Sequence, residues 1–552
     1  MKCWSVIFFV CYSSFALTQT APLRYWVQFT DKTNSEYNVN VPEEFLSSEA
    51  VSLRNFFNIT ITEQDLPVNS SYIEALNMLE GVNVKHVSKW FNAATIALED
   101  SNFIDPVLET LSTLPFVYEV KSALEYTTVL PEEAVYRTQT IVPTYYSSYG
   151  ASYAQIAINN GHLLHELNYR GAGIKIGVFD SGFNAVQDLE AFQHLRDDGR
   201  IHQAKDVVEG DLWVYNGGNH GRSVLSIMAA VIPDSLIGSA PEANYYLFRT
   251  ENGGSENVIE EDNWVRALEM ADSMGIRLIN SSLGYRTFDD SLQNHSYADM
   301  DGDITRISRA ADIAASKGML IVNSAGNSGT NEDWPQIGAP ADADSILAVG
   351  ALTPLGEYAW FSSIGPSSDG DVKPNVCAVG NQTVFANFSG GISQGNGTSF
   401  SSPVITGLTA CLWQAFPEKS NMEIIRAIEQ SCDLYLNPND SLGNGTPDYF
   451  KAFEILLNKE TEEDEMFTAF PNPFYNALNV TINSGQISKA ELIDAAGKRI
   501  RLDFKAAIGE ESSTYRMDIE ILGLESGVYT LVLYSENELV SSKRIIKVNS
   551  PL

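Results

Sequence analysis

Gly397-Thr398-Ser399-Phe400-Ser401-Ser402-Pro403 runs straight into the apolar stretch from Val404 to Phe416. A turn of small residues here delivers a serine to the first turn of a helix that reads as buried. A helix N-terminus offers unpaired N–H groups and the positive end of the backbone dipole. Both converge on the serine hydroxyl, the place where an attacked carbonyl would develop negative charge. A helix apolar all round asks for a layered core to cover it. Gly-Thr-Ser clusters are also common in ordinary loops, so the residues around this one decide its meaning.

Working outward, residues 149–458 alternate short apolar strands with helical stretches. The strands lie at 174–179, 243–248, 278–282, 320–324 and 346–350. Near-continuous apolar runs of this length predict an α/β fold, a parallel sheet with helices on both faces. Polar functional groups are then expected at the carboxyl ends of the strands. The first strand ends in Asp180-Ser181-Gly182, a carboxylate among small residues that leave room for a histidine ring. Asn219-His220-Gly221-Arg222-Ser223 opens a helix of small residues 40 positions later. Asn280-Ser281-Ser282-Leu283-Gly284 ends another strand, and its glycine leaves space for an extended peptide beside the backbone. Ser324-Ala325-Gly326-Asn327-Ser328-Gly329 ends the next, and the Asn327 amide can donate to an oxyanion. Each segment alone also reads as a strand-to-turn connection, or as a turn aspartate or structural histidine.

Together, the order Asp180, His220, Asn327, Ser399 resembles the subtilisin family of serine proteases. Smaller matches agree: Ala339-Pro340-Ala341, Trp360-Phe361-Ser362-Ser363 and Lys373-Pro374. The resemblance implies a Ser399 nucleophile, a His220 general base and an Asp180 that orients the imidazole. It implies an oxyanion hole from Asn327 and the Ser399 N–H, with Ser282, Leu283, Gly284, Ala325 and Gly326 binding substrate. Pro340 becomes a candidate cis-proline. Two positions depart from the family pattern: Arg222 stands where a threonine is usual, and Ala378-Val379-Gly380 replaces a proline-containing turn. The implied reaction is peptide-bond hydrolysis through an acyl-enzyme, with protein or peptide substrates and no cofactor required. Calcium is possible as a structural ion. Residues 299–303 (DMDGD) are its best candidate loop, and the bland reading of that loop is a solvated turn. The rival class is a secreted binding protein on an inactive protease scaffold.

The flanks have their own patterns. Residues 21–126 read as strand, helix, strands, helix, strand, with helices at 41–58 and 103–114, a ferredoxin-like α+β unit. It resembles a subtilisin-type propeptide, which implies an inhibitor of its own cleft and an aid to folding a sheet built of non-local contacts. Residues 127–148, rich in Thr, Tyr, Pro and Ser, are the expected linker and processing region. Residues 459–465 form a charged joint. Residues 466–552 alternate as strands and predict a small β-sandwich. Phe470-Pro-Asn-Pro-Phe474, Asp494-Ala-Ala-Gly-Lys498 and Leu524-Glu-Ser-Gly-Val-Tyr529 resemble the Por secretion tail of Bacteroidota. That resemblance implies the type IX secretion machinery as a partner.

Composition narrows the rest. A chain of 552 residues exceeds one ordinary core. Its net charge of −35 argues against a nucleic-acid partner. No internal run reaches the ~18 apolar residues of a membrane span. Lys2, an apolar core and small residues near Ala16 read as a signal peptide over residues 1–20. Export to the cell surface or beyond, via the periplasm, is therefore expected. Beyond that leader three cysteines remain, Cys377, Cys411 and Cys432. Cys411 and Cys432 would pair only if their helices pack together, and small buried apolar residues is the favoured reading.

Overall fold

The computed structural model describes residues 23–123, 148–459 apart from 255, and most of 467–548. The expected signal peptide, the processing region up to residue 147 and the charged joint from residue 460 lie outside the described residues.

The N-terminal unit runs β1 (Arg24–Phe29), α1 (Ser48–Phe56), α2 (Ser70–Asn77), β2 (Val82–Ser88), β3 (Ala93–Leu98), α3 (Ile104–Thr113) and β4 (Val117–Ser122). Its antiparallel sheet has the order β2-β3-β1-β4, which is the ferredoxin-like arrangement. Two details differ from the sequence reading. The first helix begins at Ser48 rather than near residue 41, because the Ser47 hydroxyl accepts from the Ala50 N–H and caps it there. The short α2 was not expected. It is started by the Asn69 side chain, which accepts from the Ser71 N–H.

The central domain is built on β5 (Lys175–Asp180), β6 (Ile201–Asp206), α4 (His220–Ala229), β7 (Asn244–Arg249), α5 (Ile259–Ser273), β8 (Leu278–Ser281), α6 (Arg306–Ser316), β9 (Leu320–Ser324), β10 (Leu347–Leu352), β11 (Val376–Val379) and α7 (Thr398–Ala415). Seven strands form one parallel sheet in the order β11-β10-β9-β8-β5-β7-β6. Successive side chains of a strand point to opposite faces, so each apolar strand feeds two cores. Ile176, Val178, Leu278, Leu320 and Val322 join α4 and α7 on one face. Phe179, Phe248, Ile279 and Ile321 join Trp264 and Leu268 of α5 and Ile307 and Ala310 of α6 on the other. Strand β6 escaped the sequence reading because it is an edge strand with a polar, half-buried sequence, IHQAKD.

Trp26, Trp90 and Phe91 of the N-terminal unit complete the second core, so this unit is seated over α5 and α6. The described part of the tail forms two four-stranded antiparallel sheets around Leu478, Val480, Leu492, Leu531, Leu533 and Ile545, a β-sandwich. Cys377, Cys411 and Cys432 are all buried and unpaired. No helix among the described residues is long and apolar enough to cross a membrane.

Candidate active site

Asp180 ends β5 with no exposed surface, and its carboxylate faces the first residue of α4. Nδ1 of His220 lies 2.9 and 3.0 Å from the two Asp180 oxygens. The Ser181 N–H, at 2.8 Å, donates to the same carboxylate. Glycine at 221 is what lets the helix approach so closely. A Cβ there would fall 2.5 Å from the Gly182 carbonyl oxygen and 2.9 Å from the Asp180 Cβ. Burial pulls the imidazolium down, but the Asp180 charge and hydrogen bond together outweigh it, so the His220 pKa lies above its ordinary 6.5. The ring keeps an open edge, with 39% of its side-chain surface exposed.

Ser399 occupies the first turn of α7, as its sequence predicts. Its hydroxyl is turned onto the Ser282 carbonyl oxygen at 3.3 Å rather than onto His220, and the Ser282 hydroxyl donates in return to the Ser399 carbonyl at 3.0 Å. Asn327 sits across the same turn. Its Oδ1 accepts from the Thr398 N–H at 2.9 Å and from the Thr398 hydroxyl at 3.1 Å. An amide oxygen fixed by two donors leaves its nitrogen as the group toward the cleft, which settles the orientation of that side chain. Thr398 was not singled out in the sequence. Its signal was only its place beside the serine, while its contacts with Asn327 and the Gly326 N–H depend on the fold.

Asp180, His220, Asn327 and Ser399 fall inside the segment, residues 171–445, that matches the Subtilase family. That segment belongs to the subtilase family. Its domain is that of a serine endopeptidase of the subtilisin type. Residues 24–139 match the Peptidase S8 propeptide domain of Bacteroidota, and residues 468–548 match a secretion system C-terminal sorting domain. That sorting tail marks this subtilase for export to the cell surface or outside. Subtilisin DY of Bacillus licheniformis is 28% identical over 257 residues, covering 46% of this chain and 82% of its own. A thermophilic serine proteinase from Bacillus sp. (strain AK1) is 29% identical over 286 residues, covering 51% of this chain and 60% of its own. The solved structure of MycP1 from Mycobacterium smegmatis aligns with a TM-score of 0.44 at 20% identity, over 58% of this chain and 89% of that one.

The subtilase cleft is a cavity of about 470 Å³. Ser282, Leu283, Gly284, Ala325, Gly326, Asn327 and Ser399 all line it. Asp180 and His220 stand outside that lining, and the His220 ring meets the Ser399 turn at Phe400. Gly284 is open, with only the Ala339 carbonyl oxygen within 4 Å of a Cβ placed there. The Ala339–Pro340 bond beside the cleft is cis. Neither departure from the family pattern disturbs the site. The Arg222 guanidinium donates to Asn219 Oδ1 at 2.9 Å and lies over the Phe388 ring. Gly380 accepts the Gly397 N–H at 2.8 Å, and a side chain there would meet Ala351 and the Gly397 carbonyl. In the 299–303 loop, Asp301 accepts from the N–H groups of Asp303 and Ile304. The described carboxylates close enough together to share a cation are instead Asp344, Asp369 and Asp371, all exposed.

Proposed function

We propose that this chain is a secreted endopeptidase that cuts peptide bonds with Asp180, His220 and Ser399. The observation that carries the reading is the Asp180–His220 pair, whose imidazole lies against Phe400 next to Ser399, while Ser399 and Asn327 line one cleft. The reaction requires the Ser399 hydroxyl to leave the Ser282 carbonyl and turn to the imidazole. Such tightening on substrate binding is ordinary for free enzymes. His220 then takes the hydroxyl proton through Nε2 while Nδ1 stays on Asp180, which fixes the tautomer and offsets the imidazolium charge. The oxygen attacks the scissile carbonyl, and the oxyanion is held by the Ser399 N–H and the Asn327 amide. His220 returns the proton to the leaving amine, and water repeats the sequence on the acyl-enzyme.

The N-terminal unit acts as the inhibitor and folding aid of its own peptidase domain and is cut away within residues 123–148. A signal peptide delivers the precursor to the periplasm, and the type IX machinery reads the sorting sandwich to move it across the outer membrane. The test is a Ser399→Ala precursor. It should leave casein intact and keep its N-terminal unit attached, whereas the secreted wild type should begin, by N-terminal sequencing, within the 123–148 window. Casein hydrolysis surviving the change would show that the assignment of Asp180, His220 and Ser399 as the triad is wrong.

A further inference from the structure

One aromatic side chain joins the nucleophile's turn to the histidine, and nothing in the mechanism above uses it. Phe400 directly follows Ser399. Its N–H donates to the Gly397 carbonyl at 3.0 Å and so closes the turn that presents the serine. Its ring stacks on the His220 imidazole at 6.1 Å between centroids with a 28° angle between planes. It also stacks on Phe385, at 5.2 Å and again 28°. Phe385 is buried to 1% exposure in a hairpin formed by Thr383–Ala386 and Ile392–Gly395. The hairpin makes room for the ring by dispensing with a side chain. A Cβ on Gly395 would lie 2.5 Å from Phe400 Cε2 and 2.9 Å from Phe385 Cε1.

The bond to Asp180 fixes Nδ1 of His220 but not the rest of its ring. An imidazole held at one nitrogen can pivot about that contact, and the pivot sweeps Nε2 along an arc past the serine. A flat surface on one face closes part of that arc. We propose that Phe400, seated on Phe385 and given space by Gly395, is a positioning residue that holds the plane of the His220 imidazole and ties it to the turn carrying Ser399. This rests on the peptidase reading above and adds to it the group that sets where the base points. A ring lying against the imidazole also covers part of it from water. Burial is the largest influence pulling the His220 pKa down, and Asp180 is the charged group opposing it. Removing the ring therefore lets the imidazolium persist to higher pH.

The experiment compares the wild type with F400A, F400L, F400Y and G395A, as secreted mature enzymes, on a chromogenic peptide. kcat and KM are followed across pH, and a fluorophosphonate label counts reactive Ser399. F400A is expected to lower kcat about 3- to 10-fold, the reach of one aromatic contact, with KM little changed. Its acid limb should move to higher pH. F400Y keeps the stack and should restore both readouts, whereas F400L fills the volume without a flat face and should restore neither fully. G395A leaves Phe400 in place but displaces its ring, so it should shift kcat and the acid limb in the same direction even if F400A fails to fold. Wild-type kcat and acid limb in F400A or in G395A, or full recovery with F400L, would overturn the proposal. A wild type that neither hydrolyses peptide nor takes the label defeats the peptidase reading itself, and this inference falls with it.

Discussion

The central domain handles charge in opposite ways at its cleft and at the face covered by the N-terminal unit. Beside the cleft the buried carboxylate of Asp180 is matched to a single imidazole with an open edge. On the covered face two carboxylates of α5, Glu269 and Asp272, are met by donors from the N-terminal unit. Glu269 accepts from the Ser88 hydroxyl at 2.6 Å and from the N–H groups of Lys89 and Trp90 at 3.0 Å each. Asp272 lies 2.8 Å from Arg54 and 2.9 Å from Lys89. Asp65, brought in by the N-terminal unit, pairs with its own Arg54 at 3.0 Å and with Lys317 of the central domain at 2.9 Å. Burial raises the Asp65 pKa, but the hydrogen bonds and the two cations outweigh it and the net shift is downward. The Asp180–His220 pair is arranged so that a proton could move, whereas the interface fixes charge on both sides.

If the cleft is a working unit, its parts should fail together. Ser399→Ala and His220→Ala should each remove casein hydrolysis by about 10⁶-fold in kcat, and the double variant should lose little more, as subtilisin's own residues behave. Additive losses would show that the two side chains do not act on one proton. The interface should fail differently, in stability. Asp272→Ala leaves Arg54 and Lys89 facing each other in a buried site, and breaking such a pair costs about 3–5 kcal/mol. The check is the urea midpoint of the Ser399→Ala precursor with and without that change. An unchanged midpoint would mean that the network adds nothing to the seating of the N-terminal unit. Asn327→Ala returns to the cleft with an intermediate effect. It should lower kcat about 10²–10³-fold with KM nearly unaltered, because the amide matters only once the oxyanion forms.

Much of the cleft was legible because its residues are forced by close approach. Gly221 leaves space against Asp180, and the turn at Gly397 delivers Ser399, so short motifs carry the geometry. The parallel strands were legible because both of their faces are buried, which leaves near-continuous apolar runs. What stayed hidden depends on contacts between distant segments. Edge strand β6 looks polar because water covers part of it. Thr398 and Phe400 read as ordinary neighbours of a serine until Asn327, His220 and Phe385 are brought up to them. The interface network was the least legible, since Arg54, Lys89 and Asp272 stand far apart in the chain and resemble any other surface charges.

The smallest effect is also the one that separates the two regions most cleanly, because it needs only a change of pH. His220 must be neutral to accept the Ser399 proton, and its pKa lies above 6.5. Thus kcat/KM should rise with pH through a midpoint above 6.5, and Asp180→Asn should lower that midpoint as well as the rate, by removing the charge that holds it up. The same pair contributes to stability in the opposite sense. A histidine whose folded pKa is raised stabilises fully below its unfolded pKa and loses that contribution as pH climbs through the folded value. Activity should therefore appear over the interval in which the Asp180–His220 pair gives up its share of stability. Asp65 runs the other way. Its depressed pKa gives stability present above the unfolded value near 3.8 and lost only as pH falls through the folded one. A titration of mature enzyme and Ser399→Ala precursor side by side would show both. An acid limb below 6.5 in the mature enzyme would mean that the Asp180 carboxylate does not govern the imidazole, and the contrast between mobile and fixed charge would be lost at its first term.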